Sequence, residues 1–123
     1  MKRVEGLYYP ESISRIDTEE ARGLWEQGAA KFVDVRAKLD FNAGHIPNSV
    51  NYSLLVGLSR DALLEIANLD DTIVFSCHGP HCPYSVYAAI KAQLWGFEDP
   101  RYYAGGFPDW VEQGLPTAAI ENE

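Results

Sequence analysis

A chain of 123 residues with 46% hydrophobic and 12% aromatic content has the material for one folded core, which sets aside both a disordered chain and a multidomain one. Eighteen acidic residues against 10 basic ones leave a net charge of −8, which argues against a nucleic-acid partner and reads as a source of solubility. No apolar run approaches the roughly 20 residues of a membrane span, and no apolar segment follows Lys2 and Arg3, so the expectation is a cytoplasmic protein with no membrane partner.

In chain order, residues 1–11 read as a lead-in whose Tyr8-Tyr9-Pro10 packs on the body, and 12–123 as a single domain. Ser14-Arg15-Ile16 reads as a short strand. Asp17 with Glu20 forms a capping box for an amphipathic helix with Ala21, Leu24 and Trp25 on one face, ending near Gly28. Lys31–Val35 predicts a buried strand, and Ser49–Tyr52 a weaker one. Ser59 caps a helix through Ala67 with Leu63, Ile66 and Ala67 on one face. Thr72–Ser76 is the central apolar strand. A helix over Ser85–Trp95 follows, with Val86, Ala89, Ile90 and Leu94 inward and Gly96 as its stop. Arg101-Tyr102-Tyr103 is a last strand, and Pro108 opens a short helix that Gly114 closes. The tryptophans Trp25, Trp95 and Trp110 read as core. Strands alternating with helices predict an α/β domain with a mostly parallel sheet, in which sites form at the carboxyl ends of strands.

Both cysteines fall at such an end, in Cys77-His78-Gly79-Pro80-His81-Cys82-Pro83-Tyr84-Ser85, directly after the central strand. Loop amides and the start of the following helix can converge there on a thiol, lower its pKa and make it a nucleophile. Cys82, ahead of Pro83 at a helix start, is a second thiol and a rival nucleophile, and the spacing also allows a reversible Cys77–Cys82 disulfide. Two cysteines in one loop suit a reducing compartment and catalytic or redox use better than a structural scaffold. His78 and His81 read equally as solvated loop residues and as anion-binding or proton-transfer groups. A zinc site is rejected, because so few consecutive residues can hardly wrap four ligands around one ion.

Phe32-Val33-Asp34-Val35-Arg36, Phe41 and Gly44-His45-Ile46-Pro47-Asn48-Ser49-Val50-Asn51 resemble the first signature of rhodanese-like domains. Gly105-Gly106-Phe107-Pro108-Asp109-Trp110 and Gly114-Leu115-Pro116 resemble their end, and the strand-Cys77-loop-helix unit resembles their active-site region. The likeness runs from about Ser12 to Pro116 in unbroken order. It implies a five-stranded, mostly parallel sheet flanked by helices on both faces, and sulfur transfer through a cysteine persulfide on Cys77 with no metal or organic cofactor. The substrate-binding loop would be His78, Gly79, Pro80, His81, Pro83, Tyr84 and Ser85, supported by Asp34 and Arg36, which read first as a structural ion pair. His45 reads as a structural, hydrogen-bonded histidine.

The loop departs from the usual six-residue pattern that begins with cysteine and ends with arginine. Here eight positions run from Cys77 to Tyr84, Tyr84 holds the arginine slot, and no Lys or Arg occurs between Asp71 and Ile90. A compact dianion such as thiosulfate is then expected to be a poor donor, and a persulfidated protein or a small persulfide a better one. The expected acceptor is a thiol or a cyanide-like nucleophile. Two other classes stay open: a rhodanese-fold phosphatase or arsenate reductase, favoured by loop length and opposed by the missing cation, and a non-catalytic module that senses redox state or binds a partner.

Overall fold

The computed structural model describes residues 13–120, together with the backbone of two short strands, β1 (Lys2–Val4) and β2 (Leu7–Tyr9). These two pair antiparallel as a small sheet of their own, so the lead-in contains a hairpin that the sequence reading did not anticipate. The packing foreseen for Tyr8-Tyr9-Pro10 lies outside the described residues.

The main sheet has five strands, all parallel: β3 (Ser14–Ile16), β4 (Lys31–Asp34), β5 (Val50–Asn51), β6 (Thr72–Ser76) and β7 (Asp99–Tyr103), in the order β3-β7-β6-β4-β5. The helices are α1 (Thr18–Gln27), α2 (Lys38–Ala43), α3 (Arg60–Leu64), α4 (Tyr84–Leu94) and α5 (Gly106–Glu112). Because β6 is central, its side chains are buried on both faces. Ile73, Phe75 and Cys77 pack with Leu63 of α3 and Val86, Ala88, Ala89 and Ala92 of α4. Val74 on the other face packs with Ala21 of α1 and Trp110 of α5. Burial on two sides explains why this strand reads as an unbroken apolar run. Each fully buried large side chain here is worth about 1.5–3 kcal/mol.

The capping box is present. Asp17 Oδ1 accepts from the Glu20 N–H at 2.9 Å, and Gly28 ends α1 in the left-handed region at φ 63°. Ser59 caps α3, which closes at Leu64, short of the expected Ala67. The Ala67 N–H still reaches Leu63 O at 3.0 Å, so the turn persists and Leu63 stays fully buried.

Other details correct the sequence reading. α2 was not foreseen: its N-cap, Ala37, has no capping side chain, and Phe41 is its one buried residue. Leu94 is 78% exposed, because the buried face of α4 runs through Ser85, Ala88, Ala89 and Ala92, and Leu94 lies about 140° round the axis from Ala89 at 3.6 residues per turn. Trp110 is fully buried, whereas Trp25 and Trp95 are half-buried. Trp25 instead donates from Nε1 to Pro47 O at 2.7 Å and meets Trp110 edge to face. α5 starts two residues before Pro108, which sits in the first turn, where its missing N–H has no helical partner to lose.

Tyr103 is buried at the carboxyl edge of β7, with its hydroxyl 2.5 Å from Thr18 Oγ1, which in turn donates to Asp109. Burial, opposed by the Thr18 hydrogen bond and reinforced by the charge of Asp109, leaves the phenol pushed up to about 12. A phenol titrating above its ordinary 10.0 when folded favours the folded state fully below that value and loses the contribution as pH rises through about 12. Urea midpoints measured at about pH 9 and about pH 11 should therefore fall more steeply for the native chain than for Tyr103→Phe. Equal slopes would show that Tyr103 does not govern alkaline stability.

Candidate active site

Cys77 follows the last residue of β6, at the carboxyl edge of the central strand, and is 1% exposed. Its stem is held from both sides. The Val35 N–H donates to Ser76 O at 3.0 Å, and the Phe107 N–H donates to Cys77 O at 3.2 Å. The second contact depends on Gly106, which sits at φ 64°. A Cβ at that position would lie 2.5 Å from Cys77 O and 2.9 Å from the Gly79 nitrogen. The Gly105-Gly106 pair is thus the place where the chain after β7 presses against the cysteine loop.

The loop turns back on itself. The Cys82 N–H donates to Gly79 O at 3.1 Å, and Gly79 adopts φ 141°. The two cysteines are joined as a disulfide, their Cα atoms 6.5 Å apart. That separation falls within the reach expected for such a bridge. α4 then begins at Tyr84, one residue before the expected Ser85, with Pro83 at its N-cap, no side-chain cap and no acidic residue in its first turn. Its positive end is therefore turned toward the loop without a competing carboxylate of its own.

The cradle of amides anticipated over His78 to Tyr84 is smaller than the sequence suggested. Pro80 and Pro83 have no N–H, and the N–H of Cys82 is spent on Gly79 O. His78, Gly79, Pro80, His81 and Cys82 line a cleft of about 280 Å³. His78 is half exposed, with Nε2 3.5 Å from Asp40 Oδ2. His81 is exposed. Tyr84, in the slot where an arginine is usual, packs half-buried against the core, and Ser85 is buried behind it. Among the described residues, no group of three or more His, Cys, Asp or Glu is placed to hold a metal ion.

Asp34 and Arg36 form a buried pair, with Arg36 Nη2 2.7 Å from Asp34 Oδ2 and Nε 3.0 Å from Oδ1. The same guanidinium donates to Gly44 O at 2.6 Å and lies over the Phe107 ring, 4.8 Å from its centroid. Its Nε and Nη2 donors are committed to Asp34 and Gly44, which makes the pair a support for the loop. The path is short: Arg36 and Gly44 fix the Phe107 ring, and the Phe107 N–H fixes Cys77 O. Three segments far apart in sequence meet at this phenylalanine. His45 stacks on Phe41 and bonds Phe41 O through Nδ1 at 2.7 Å, as a structural histidine does.

Phe107 was legible only as part of a signature, and its two contacts were not. Sequence reading also missed a second group at this edge, where Arg15, Asp17, Thr18, Pro80, Gly105 and Asp109 line a cavity of about 220 Å³. Pro80 borders both this cavity and the loop cleft. No spacing signal links Arg15 to Pro80, because the sheet order alone brings their neighbourhoods together.

A parallel α/β sheet with a cysteine loop at the carboxyl end of its central strand defines the class of this protein. The chain belongs to the rhodanese-like domain family, whose model matches residues 17–113. It is 36% identical over 101 residues to a thiosulfate sulfurtransferase GlpE of Pseudomonas savastanoi pv. phaseolicola, covering 80% of this chain and 87% of that one. Among solved structures, the human single-domain sulfurtransferase TSTD1 superposes with a TM-score of 0.68 at 25% identity, over 80% of this chain and 96% of that one. The Alr3790 protein of Anabaena sp. superposes with a TM-score of 0.76 at 23% identity, over 87% of this chain and 94% of that one, and shares the fold. No helix among the described residues is long and apolar enough to cross a membrane.

Proposed function

We propose that the chain is a sulfurtransferase that carries sulfane sulfur as a persulfide on Cys77. The observation that carries this reading is the position of Cys77 at the carboxyl end of the central strand, facing the start of α4 in a loop braced by Phe107. In the reduced loop, the Cys77 thiolate attacks the outer sulfur of a donor. The donor's sulfur–sulfur bond breaks, its thiolate leaves with the electron pair, and Cys77 holds the outer sulfur. An acceptor thiol or a cyanide-like nucleophile then attacks that sulfur, and the Cys77 thiolate departs. His78, Gly79, Pro80, His81, Pro83, Tyr84 and Ser85 shape the donor site. The α4 terminus and the loop amides that stay available stabilise the anionic sulfur. The chemistry calls for no metal or organic cofactor. The phosphatase and non-catalytic readings are not favoured, since relatives matching most of the chain carry sulfurtransferase names.

The donor is best read as a polysulfide, a small persulfide or a persulfidated protein, because no cation stands within the loop. A second reading has a specific basis: relatives covering 80% of this chain are named for thiosulfate, and Arg15 lines the cavity on the far side of Pro80. The two readings separate when transfer to cyanide is measured with each donor under reducing conditions, for the native chain and for Arg15→Ala. The first predicts slow thiosulfate turnover and little response to the substitution. Fast thiosulfate turnover that falls about tenfold or more in Arg15→Ala would establish Arg15 as the missing cation, since a charge-assisted hydrogen bond is worth about 1.5–3 kcal/mol.

A further inference from the structure

Building on the persulfide reading, we infer that the loop discharges itself: Cys82 resolves the Cys77 persulfide, releases the carried sulfur as hydrosulfide and closes the disulfide seen here. This would make the protein a dithiol-dependent, sulfide-releasing persulfide reductase as well as a sulfur carrier.

The geometry supplies the reacting pair. The Cα atoms lie 6.5 Å apart and the two sulfurs are bonded, so Cys82 can reach Cys77 Sγ without rearrangement of the fold. The turn that brings it there is held by Cys82 N–H to Gly79 O, and the opposite end by Phe107 N–H to Cys77 O. Cys77 Sγ is the inner sulfur of the persulfide, and in the closed loop its residue is 1% exposed with Cys82 bonded to it, so Cys82 is the thiol already placed beside that sulfur. Holding two reactants in one loop makes the step effectively unimolecular, an advantage of many orders of magnitude over a dilute external thiol.

The step balances. The Cys82 thiolate attacks Cys77 Sγ, the Cys77–Cys82 bond forms, and the bond from Sγ to the outer sulfur breaks. The outer sulfur leaves as hydrosulfide with the electron pair and the persulfide proton. The sulfane sulfur is reduced by two electrons, and the two cysteine sulfurs are oxidised to the disulfide. Turnover then needs a dithiol reductant, and the burial pattern sets its point of attack. Cys82 is half-buried and lines the loop cleft, whereas Cys77 does not line it. A reductant thiolate entering the cleft meets Cys82 first, and the leaving group is the Cys77 thiolate beside the start of α4. Regeneration therefore frees the nucleophile first.

The test is a single turnover without oxygen. Native chain, Cys82→Ser and Cys82→Ala are reduced, freed of reductant and given inorganic polysulfide in small excess. Hydrosulfide release and intact mass with peptide mapping are then followed. The native chain should release a burst of hydrosulfide close to one equivalent per chain beyond that from loading, and its mass should fall by two hydrogens. Both Cys82 variants should instead hold one added sulfur on Cys77, with the burst lowered about tenfold or more. With a dithiol present, continuous sulfide release should follow the same order. A native chain that keeps its added sulfur, or variants that match its burst, would overturn the inference while leaving the persulfide reading intact. Variants that never load sulfur on Cys77 would overturn both.

Discussion

Cys77→Ser is expected to abolish sulfur loading and to lower transfer to any acceptor by about 10³-fold or more, as removal of a covalent nucleophile does. A serine hydroxyl fits the buried space, so the fold should survive and the loss should be chemical. A hydroxyl buried among these apolar side chains costs about 1–3 kcal/mol, so the urea midpoint should fall modestly below that of the reduced native chain while the transition stays cooperative. Mass analysis after exposure to polysulfide should show no added sulfur on the variant. Cys82→Ser gives the opposite phenotype: Cys77 loads, but without a partner thiol it is exposed to over-oxidation and should accumulate sulfinic acid under mild peroxide, where the native chain forms the disulfide and recovers with reductant. If sulfur is found on Cys82 of the Cys77→Ser chain, the thiol at the helix start is the nucleophile and the assignment from strand position is wrong.

Gly106→Ala is expected to cost about 2–5 kcal/mol of stability and to disable the loop. Two effects add: a left-handed backbone, which costs a non-glycine residue about 1–2 kcal/mol, and an overpacked contact worth about 1–3 kcal/mol. The added methyl would lie 2.5 Å from Cys77 O and 2.9 Å from the Gly79 nitrogen, both backbone atoms that cannot rotate away. Relief requires the chain after β7 to withdraw, which breaks the Phe107 N–H bond to Cys77 O. Gly114→Ala separates the two effects. Gly114 has φ 75° and nothing within 4 Å of the Cβ position, so the substitution imposes strain without collision. The urea midpoint should drop clearly further for Gly106→Ala than for Gly114→Ala, and sulfur transfer should fall only in the former. Equal midpoints and equal activities would remove the close approach from the account of the site.

The loop arrangement also relates the two thiols to the bracing residues. Arg36 donates to Asp34 and Gly44 and covers Phe107, so it acts on Cys77 through the fold. That is why a segment without any cation can still belong to a well-formed site. The bracing is done by a buried arginine two residues past the end of β4, and the loop is left to the sulfur chemistry.

Local chemistry was sufficient for much of this protein. Alternation of apolar strands with capped helices carries the α/β class; Asp17 with Glu20 sets the start of α1; an unbroken apolar run marks β6 as central; and a cysteine at its end marks the loop. Each of these is a short-range pattern, written in residues that are neighbours in the chain. α2 escaped because a helix of six residues with no side-chain cap has almost no local signal, and Leu94 was misplaced because the small residues of α4, not its largest, set its inward face. The bracing of Cys77 by Phe107, the double commitment of Arg36 and the approach of Arg15 to Pro80 have no short-range signature. They arise because the β3-β7-β6-β4-β5 order places the ends of separate strands side by side, and long-range contacts of that kind exist only once the sheet is assembled. The disulfide stands between the two cases. Its spacing was visible in the chain, but whether the loop bends enough to close it depends on Gly79, on the start of α4 and on the pressure of Gly106 against Cys77, which the packed structure alone sets.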